Sequence, residues 1–365
     1  MAQGSASGAA GMDAAALHPM DAAALHAKAL ALIAEKRRFA WAMVIHAVGS
    51  TPQKAGARAI FEAAGPIHGT LGGGCLEAEC RRRALRALDT GEASHFELRL
   101  DEIEGWDDGL VCGGKVRVFI DPDPAREAER LRALVDAAAH RRRGVLATVI
   151  ADGCRGAGAT LWCGEDAWPR ELPEEVLRAV IARGKPVLHA AGSGEYFLEP
   201  YLPPPRLLIA GGGHIGRATA AHAARAGFEV TVVDDRPAFA SKAHIPEAQH
   251  VLCGDIAETL AGLPKDRDTY AVIVTRGHRH DGEALAACLG ADLAFLGMIG
   301  SRRKALLIKR HLVESGRATQ AQVDRVHSPI GLDIGAETID EIAISIVAQL
   351  IAVRRRGGAA EGGRS

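Results

Sequence analysis

The 365-residue chain has no CxxC pair, almost no net charge and no apolar run near the roughly 20 residues of a membrane span. Without CxxC, a zinc ribbon or a thioredoxin-like site has no basis. The seven cysteines (Cys75, Cys80, Cys112, Cys154, Cys163, Cys253 and Cys288) are odd in number and scattered. That excludes a disulfide framework and fits free thiols in a reducing compartment. With no spanning segment, and no basic stretch before an apolar core, the sequence reads as a soluble cytoplasmic protein with no membrane partner. A formal net charge of −1 offers no global attraction to nucleic acid. The arginine runs at 81–83, 141–143 and 354–356 are offset by acids elsewhere and read as solvated helix ends. Walker loop, HExxH and Ser–His–Asp nucleophile elbow are missing too, which counts against kinase and hydrolase chemistry.

What is present is an ordinary globular composition, 48% hydrophobic and 24% charged, long enough for two or three domains of about 150 residues each. Residues 1–27 read as a disordered Ala/Gly-rich tail, with MDAAALH repeated at 12–18 and 20–26 and Pro19 interrupting any continuous helix. Residues 28–123 read as a mixed α/β domain, with strands at 39–48, 57–62, 94–100 and 116–120 and a helix at 76–88. A middle α/β segment, 124–202, holds helices at 126–140 and 173–182 and strands at 145–151 and 159–162. Pro203-Pro204-Pro205 is a stiff linker, and residues 355–365 are a flexible tail. Between them, 206–354 alternates strand and helix, the pattern of a parallel sheet covered on both faces. The expected fold class is α/β: a C-terminal Rossmann-like parallel sheet plus an N-terminal mixed α/β domain.

The most informative stretch is 207–235. It runs strand, Gly211-x-Gly213-x-x-Gly216, helix, strand, and ends in two aspartates. In that context Gly211 makes the turn, Gly213 admits a phosphate to the backbone and Gly216 lets the helix pack on the sheet, with His214 beside them. Asp234 lies where a ribose hydroxyl would be read, which favours NAD or another adenosine nucleotide over NADP. The alternative is a packing turn with no ligand.

A second glycine cluster, Gly72, Gly73 and Gly74, precedes Cys75. Its bare amides can curl around an anion, and a helix start favours the thiolate at Cys75; the plain alternative is a tight turn with a buried cysteine. Ser50, Lys54 and Arg58 occupy a Gly/Pro loop suited to a phosphate, or are merely exposed loop polar groups. Cys112 adjoins another glycine pair, and with Cys75 would make a soft, sulfur-rich site if both face one cleft. His278 and Asp281 follow a strand and are candidate metal ligands or proton carriers, or a turn with Asp281 as helix cap. Ser301 opens a helix in a comparable turn and could cap it, while Arg302 and Arg303 face a phosphate.

As a set these blocks resemble the XdhC/CoxI family of molybdenum-cofactor chaperones. The matching segments are GSTPQKAGAR at 49–58, GTLGGGCLEAE at 69–79, CGG at 112–114, AGGGHIGRA at 210–218, TRGHRHD at 275–281, GMIGSRRK at 297–304 and SPIGLDIGAETIDEIAISI at 328–346. The resemblance implies binding of the molybdopterin form of the molybdenum cofactor, sulfuration with a cysteine desulfurase, and delivery to xanthine dehydrogenase or a related molybdenum hydroxylase. Cys75 and Cys112 are then the candidate molybdenum thiols. Arg276, Ala59 and Ile339 depart from the family pattern, and the arginine at 276 leaves the client enzyme open. The competing classes are an NAD-dependent oxidoreductase, with His278 its one obvious acid or base, and a nucleotide-sensing regulatory module. Finally, the broad apolar face of the helix at 339–353 requires cover from the sheet, from the N-terminal domain or from a second subunit, and a homodimer is the expected solution.

Overall fold

A computed structural model describes residues 22–100, 114–151, 156–165, 168–192 and 194–356. The chain divides into two compact units, Met1–Leu202 and Pro203–Ser365, at the triple proline.

In the first unit the order is α1 (Ala22–Ala34), β1 (Phe39–Val48), β2 (Arg58–Glu62), β3 (Ile67–Gly69), α2 (Gly74–Thr90), β4 (Ser94–Arg99) and β5 (Lys115–Asp121). A short 3-10 turn (Pro124–Glu127) leads into α3 (Ala128–Ala139), β6 (Gly144–Ala151), β7 (Thr160–Gly164), α4 (Glu174–Arg183), β8 (Val187–Ala191) and β9 (Gly194–Tyr201). The helix expected over 126–140 therefore begins as a tighter turn at Pro124, whose missing N–H is harmless there.

Two antiparallel sheets result, in the orders β3-β2-β1-β5-β4 and β7-β6-β9-β8. Alternation along β1 sends Ala40, Ala42 and Val44 to α2 on one face. Phe39, Trp41 and Met43 go to the other, where α1, α3 and residues of β6 and β9 close a second core. A third core lies between the second sheet and α4.

The second unit runs β10 (Arg206–Ala210), α5 (His214–Arg225), β11 (Glu229–Asp234), β12 (His250–Cys253), α6 (Ile256–Gly262), β13 (Thr269–Ile273) and α7 (His278–Leu289). It ends with β14 (Phe295–Met298), α8 (Arg302–Glu314), α9 (Gln320–Asp324) and α10 (Ile339–Arg356). Its five strands are parallel, in the order β12-β11-β10-β13-β14, so the sequence order reverses beside β10 and the crevice opens between β10 and β13. Leu207 and Ile209 face α5 and α10, whereas Leu208 and Ala210 face α6, α7 and α8. The parallel sheet with helices on both faces is as expected. No helix among the described residues is long and apolar enough to cross a membrane.

The cover expected from a second copy is supplied within this unit. Ala343 of α10 is buried, and Ile346, Val347, Leu350 and Val353 are buried in a core shared with α5 and the sheet. The homodimer therefore loses the premise it was argued from. Leu350→Ala, at a fully buried position, is expected to cost about 2–5 kcal/mol. Ile344→Ala, at a position 46% exposed, is expected to cost well under that. Urea unfolding of both variants checks this; equal effects would mean α10 does not close this core.

Candidate functional site

Two loops and Gly114, the residue before β5, meet at one end of the first sheet. β1 ends at Val48 opposite the start of β5 at Lys115, and β3 ends at Gly69 opposite Ala59, next to the start of β2. The 49–57, 70–73 and pre-β5 segments thus emerge together. Their contacts are backbone-close: a Cβ on Gly72 would lie 2.5 Å from Pro52 Cβ, and one on Gly114 2.2 Å from the Ser50 carbonyl oxygen. Three of the matched blocks are therefore neighbours in space. Cys112, two residues before Gly114, lies outside the described residues.

Gly72, Gly73 and Gly74 all take positive φ (105°, 75° and 62°), and an added Cβ on Gly73 or Gly74 would meet nothing within 4 Å. This bare, outward loop ends at Cys75, half-exposed in the first turn of α2. The loop's inner amides already hold an anion, Glu77. Its Oε1 accepts from Thr70 Oγ1 at 2.7 Å, Leu71 N at 2.9 Å and Gly73 N at 3.0 Å. Burial raises the Glu77 carboxyl, but these hydrogen bonds outweigh it and hold the group below the usual carboxylate range. Glu77 was not singled out from sequence, although a carboxylate in the first turn of a helix is a recognisable signal.

Ser50 and Lys54 are exposed in the adjoining loop. Arg58 is not. It opens β2 and turns into the core, 7% exposed, so its reading as an exposed phosphate-loop cation is corrected. It forms an ion pair with the largely buried carboxyl of Glu199 and donates from Nη1 to His26 Nε2 at 3.0 Å. A guanidinium only donates, so His26 Nε2 accepts and the ring proton sits on Nδ1. This group borders a cavity of about 50 Å³ that Asp121 also lines. Burial pushes Asp121 up to about 6, partly opposed by Arg126.

Among the described cysteines, burial pushes Cys80 and Cys163 up to about 12 and Cys288 up to about 11. Cys75 and the exposed Cys253 are the two that are not buried. No group of three or more His, Cys, Asp or Glu among the described residues is placed to hold a metal ion.

In the second unit the carboxyl ends of β10, β13 and β14 bring three further blocks together. A Cβ on Gly216 would fall 1.8 Å from the Gly211 carbonyl oxygen, and one on Gly211 would fall 2.7 Å from that of Val274. Glycine is thus required for helix, turn and neighbouring strand to touch. Gly213 caps α5 with open space beside it, and exposed His214 begins the helix.

Asp234 is 1% exposed and fully engaged. It accepts from Gly212 N (2.7 Å) and from Arg236 N, Nε and Nη2 (3.0, 2.8 and 2.9 Å). Burial is outweighed by these bonds, and its carboxyl lies low. With its lone pairs committed, Asp234 has no ready acceptor for a ribose, and the argument for NAD over NADP falls. Asp235 is the part-exposed carboxylate there, 3.4 Å from Arg276.

Asp281 is not a helix cap. α7 begins three residues earlier, at His278 after Gly277, because Gly277 takes the positive φ of the turn. Asp281 is wholly buried, accepting from Thr275 Oγ1 at 2.5 Å and paired with Lys304. Only the backbone of His278 is described, so its proposed role lies outside the described residues. Ser301 does cap α8, accepting from Lys304 N at 3.3 Å, and Arg302 is exposed beside it. Lys304, Thr275 and Arg236 were missed from sequence, since their partners are set by which strand ends adjoin.

Comparison with known proteins places these features in a family. The model for the XdhC Rossmann domain matches residues 207–350, and that for the XdhC and CoxI family matches residues 32–100. The chain belongs to the XdhC/CoxI family. It is 28% identical to a probable xanthine dehydrogenase subunit of Bacillus subtilis, covering 89% of this chain and 96% of that protein. It is 25% identical to the molybdenum cofactor insertion chaperone PaoD of Escherichia coli, covering 84% of this chain and 80% of that one. A crystal structure described as a xanthine dehydrogenase from Bacillus halodurans superposes with a TM-score of 0.71 at 25% identity, covering 91% of this chain and 96% of that one.

Two outcomes are expected. In the native protein iodoacetamide should label Cys75 and Cys253 well before Cys80, Cys163 and Cys288, as read by peptide mass spectrometry; equal rates would refute the burial assignment. The second concerns pH. Desolvation first, then the Arg58 charge, lowers His26 from 6.5 to about 3. The unfolded chain takes up a proton as pH falls through about 6.5 while the folded ring stays neutral, so stability declines from there toward acid pH. His26→Gln should flatten this limb in urea unfolding at about pH 7 and about pH 4.5. An unchanged difference between the two pH values would refute it.

Proposed function

We propose that this chain has an accessory role for molybdenum enzymes: it binds the molybdopterin form of the molybdenum cofactor, holds it for sulfuration and delivers it to a hydroxylase of the xanthine dehydrogenase type. The names of two relatives, a molybdenum cofactor insertion chaperone and a probable xanthine dehydrogenase subunit, support the accessory role. The observation that carries the finer reading is the loop cluster at that end of the first sheet. It sets a half-exposed thiol, a bare glycine surface and an exposed lysine in neighbouring loops. When bound, the cofactor would bring a phosphate and a soft molybdenum–dithiolene end. Lys54 and the start of α2 suit the phosphate, and a Cys75 thiolate, with Cys112, suits the metal end. A cysteine desulfurase would supply the sulfur.

The test is activation of a cofactor-free molybdenum hydroxylase with and without this protein; equal activation without it sinks the reading. Cys75→Ala and Cys112→Ala should each lower co-purified molybdenum by about tenfold or more, a loss equivalent to one strong contact. Cys154→Ala, Cys163→Ala and Cys288→Ala should retain it. Equal retention in all five would make Cys75 and Cys112 ordinary structural residues.

For the second unit, the Gly211–Gly213 turn and the start of α5 favour a phosphate group, of the pterin or of a nucleotide such as NAD. Because Asp234 is engaged by Arg236, NAD and NADP are expected to bind within a few-fold of each other. A calorimetric preference of about a hundredfold for either would show that Asp234 or Arg236 is released on binding.

A further inference from the structure

We propose that the open groove between α7 and α8 is the docking face for the client hydroxylase, and that it receives an acidic segment carrying an apolar anchor. The partner's identity rests on the accessory-protein reading; the shape and chemistry of the face do not.

The groove encloses about 870 Å³. One wall is the stripe of α8 that returns every four residues, Arg303, Leu307 and His311, so it runs about 12 Å along two helical turns. Leu306 and Leu307 are 67% and 59% exposed, the two most exposed large apolar side chains among the described residues. The core does not account for them, because α8 packs through Ala305, Ile308 and Leu312. Leu307 lines the groove and Leu306 is exposed beside it on the same helix; a contiguous exposed apolar patch rimmed by polar groups marks a contact with another macromolecule.

The rim sets the sign of the partner. Lys304 and Arg310 are already paired, with Asp281 and Glu314. Arg303 and Arg317 form no ion pair among the described residues, and both line the groove. The carboxylate of Glu283 also lines the groove and is itself engaged. Two guanidinium groups without an ion pair around exposed Leu307 therefore leave a net positive rim, which complements carboxylates flanking a leucine-like anchor, the chemistry of an amphipathic acidic segment laid in a groove. A nucleic acid would use the cations and leave the leucines idle. A small anion would need neither the length nor the leucines.

The experiment measures binding of purified cofactor-free hydroxylase to the full chain, as wild type, Leu307→Asp and Arg317→Glu, at about 0.15 M salt. Both substituted side chains are exposed, so circular dichroism and co-purified molybdenum are expected to match wild type. Each variant is expected to bind hydroxylase about tenfold or more weakly, as for loss of an interface anchor. Binding as tight as wild type in both variants overturns the docking face while leaving the accessory role standing. A wild-type chain that does not bind the hydroxylase overturns both together. Weakening in Arg317→Glu alone, with a labelled DNA duplex competing for the same protein, overturns the leucine-anchored contact in favour of a polyanion site.

Discussion

Main chain lying directly against main chain is the constraint on which both candidate sites depend. In the second unit an added Cβ on Gly216 would stand 1.8 Å from the Gly211 carbonyl oxygen, well inside any tolerated contact. In the first, Gly114 approaches the Ser50 carbonyl to a hypothetical 2.2 Å. The Gly114 contact joins segments from different strands, so a side chain there would displace two loops together, whereas the Gly216 contact closes a single strand–turn–helix. Together with Gly72 against Pro52, these close approaches set where Cys75, Lys54 and His214 stand. Whatever a ligand touches, it touches groups that this closeness has positioned.

The two glycine turns also share an electrostatic arrangement. Each is held by a nearby carboxylate: Glu77 accepts from Leu71 N and Gly73 N in one, and Asp234, at the end of β11, accepts from Gly212 N in the other. A hydrogen bond to a charged group contributes about 1.5–3 kcal/mol, so several of them offset the cost of burying the charge. Both carboxyls consequently lie below their ordinary values. The turns are organised before any ligand arrives, and an incoming anion finds the inner amides already taken. What remains for recognition is the outward side: bare Gly73 and Gly74, the Cys75 thiol, and the start of α5 beyond Gly213. This moves the chemistry away from the amides a sequence motif would nominate.

Long strands and amphipathic helices were legible because their periodicity is local. β1, α8 and the parallel β/α alternation follow from spacing alone. The elements that escaped are short, edge-like or interrupted by proline and charge. β12 is four residues with no fully buried position, β8 is a partly exposed edge strand, and β9 carries Pro200 and two glutamates in its eight residues. α6 is a seven-residue helix marked mainly by its Asp255 cap. Side-chain partners were harder still. Nothing near Arg58 in sequence announces Glu199, 141 residues away, and nothing near Asp281 announces Lys304. Residue type indicated that these groups carry charge. Strand order decided whether the charge faces a ligand or a partner in the core.

Arg58 shows how the core reaches the site without joining it. It is the first residue of β2, immediately after the loop that carries Ser50 and Lys54. Its ion pair crosses from β2 in the first sheet to Glu199 on β9 in the second, so it ties the base of that loop to the other half of the unit. A buried pair of this kind adds little net stability, but breaking it by removing one partner costs about 3–5 kcal/mol, because the other charge is left uncompensated. His26 from α1 and the ring of Trp41 enclose the same guanidinium, the latter at 5.4 Å. The loop end is therefore fixed from beneath by a charge that no ligand need meet. An arginine in a matched block can serve the site by position alone, and its place in a motif does not distinguish that role from contact.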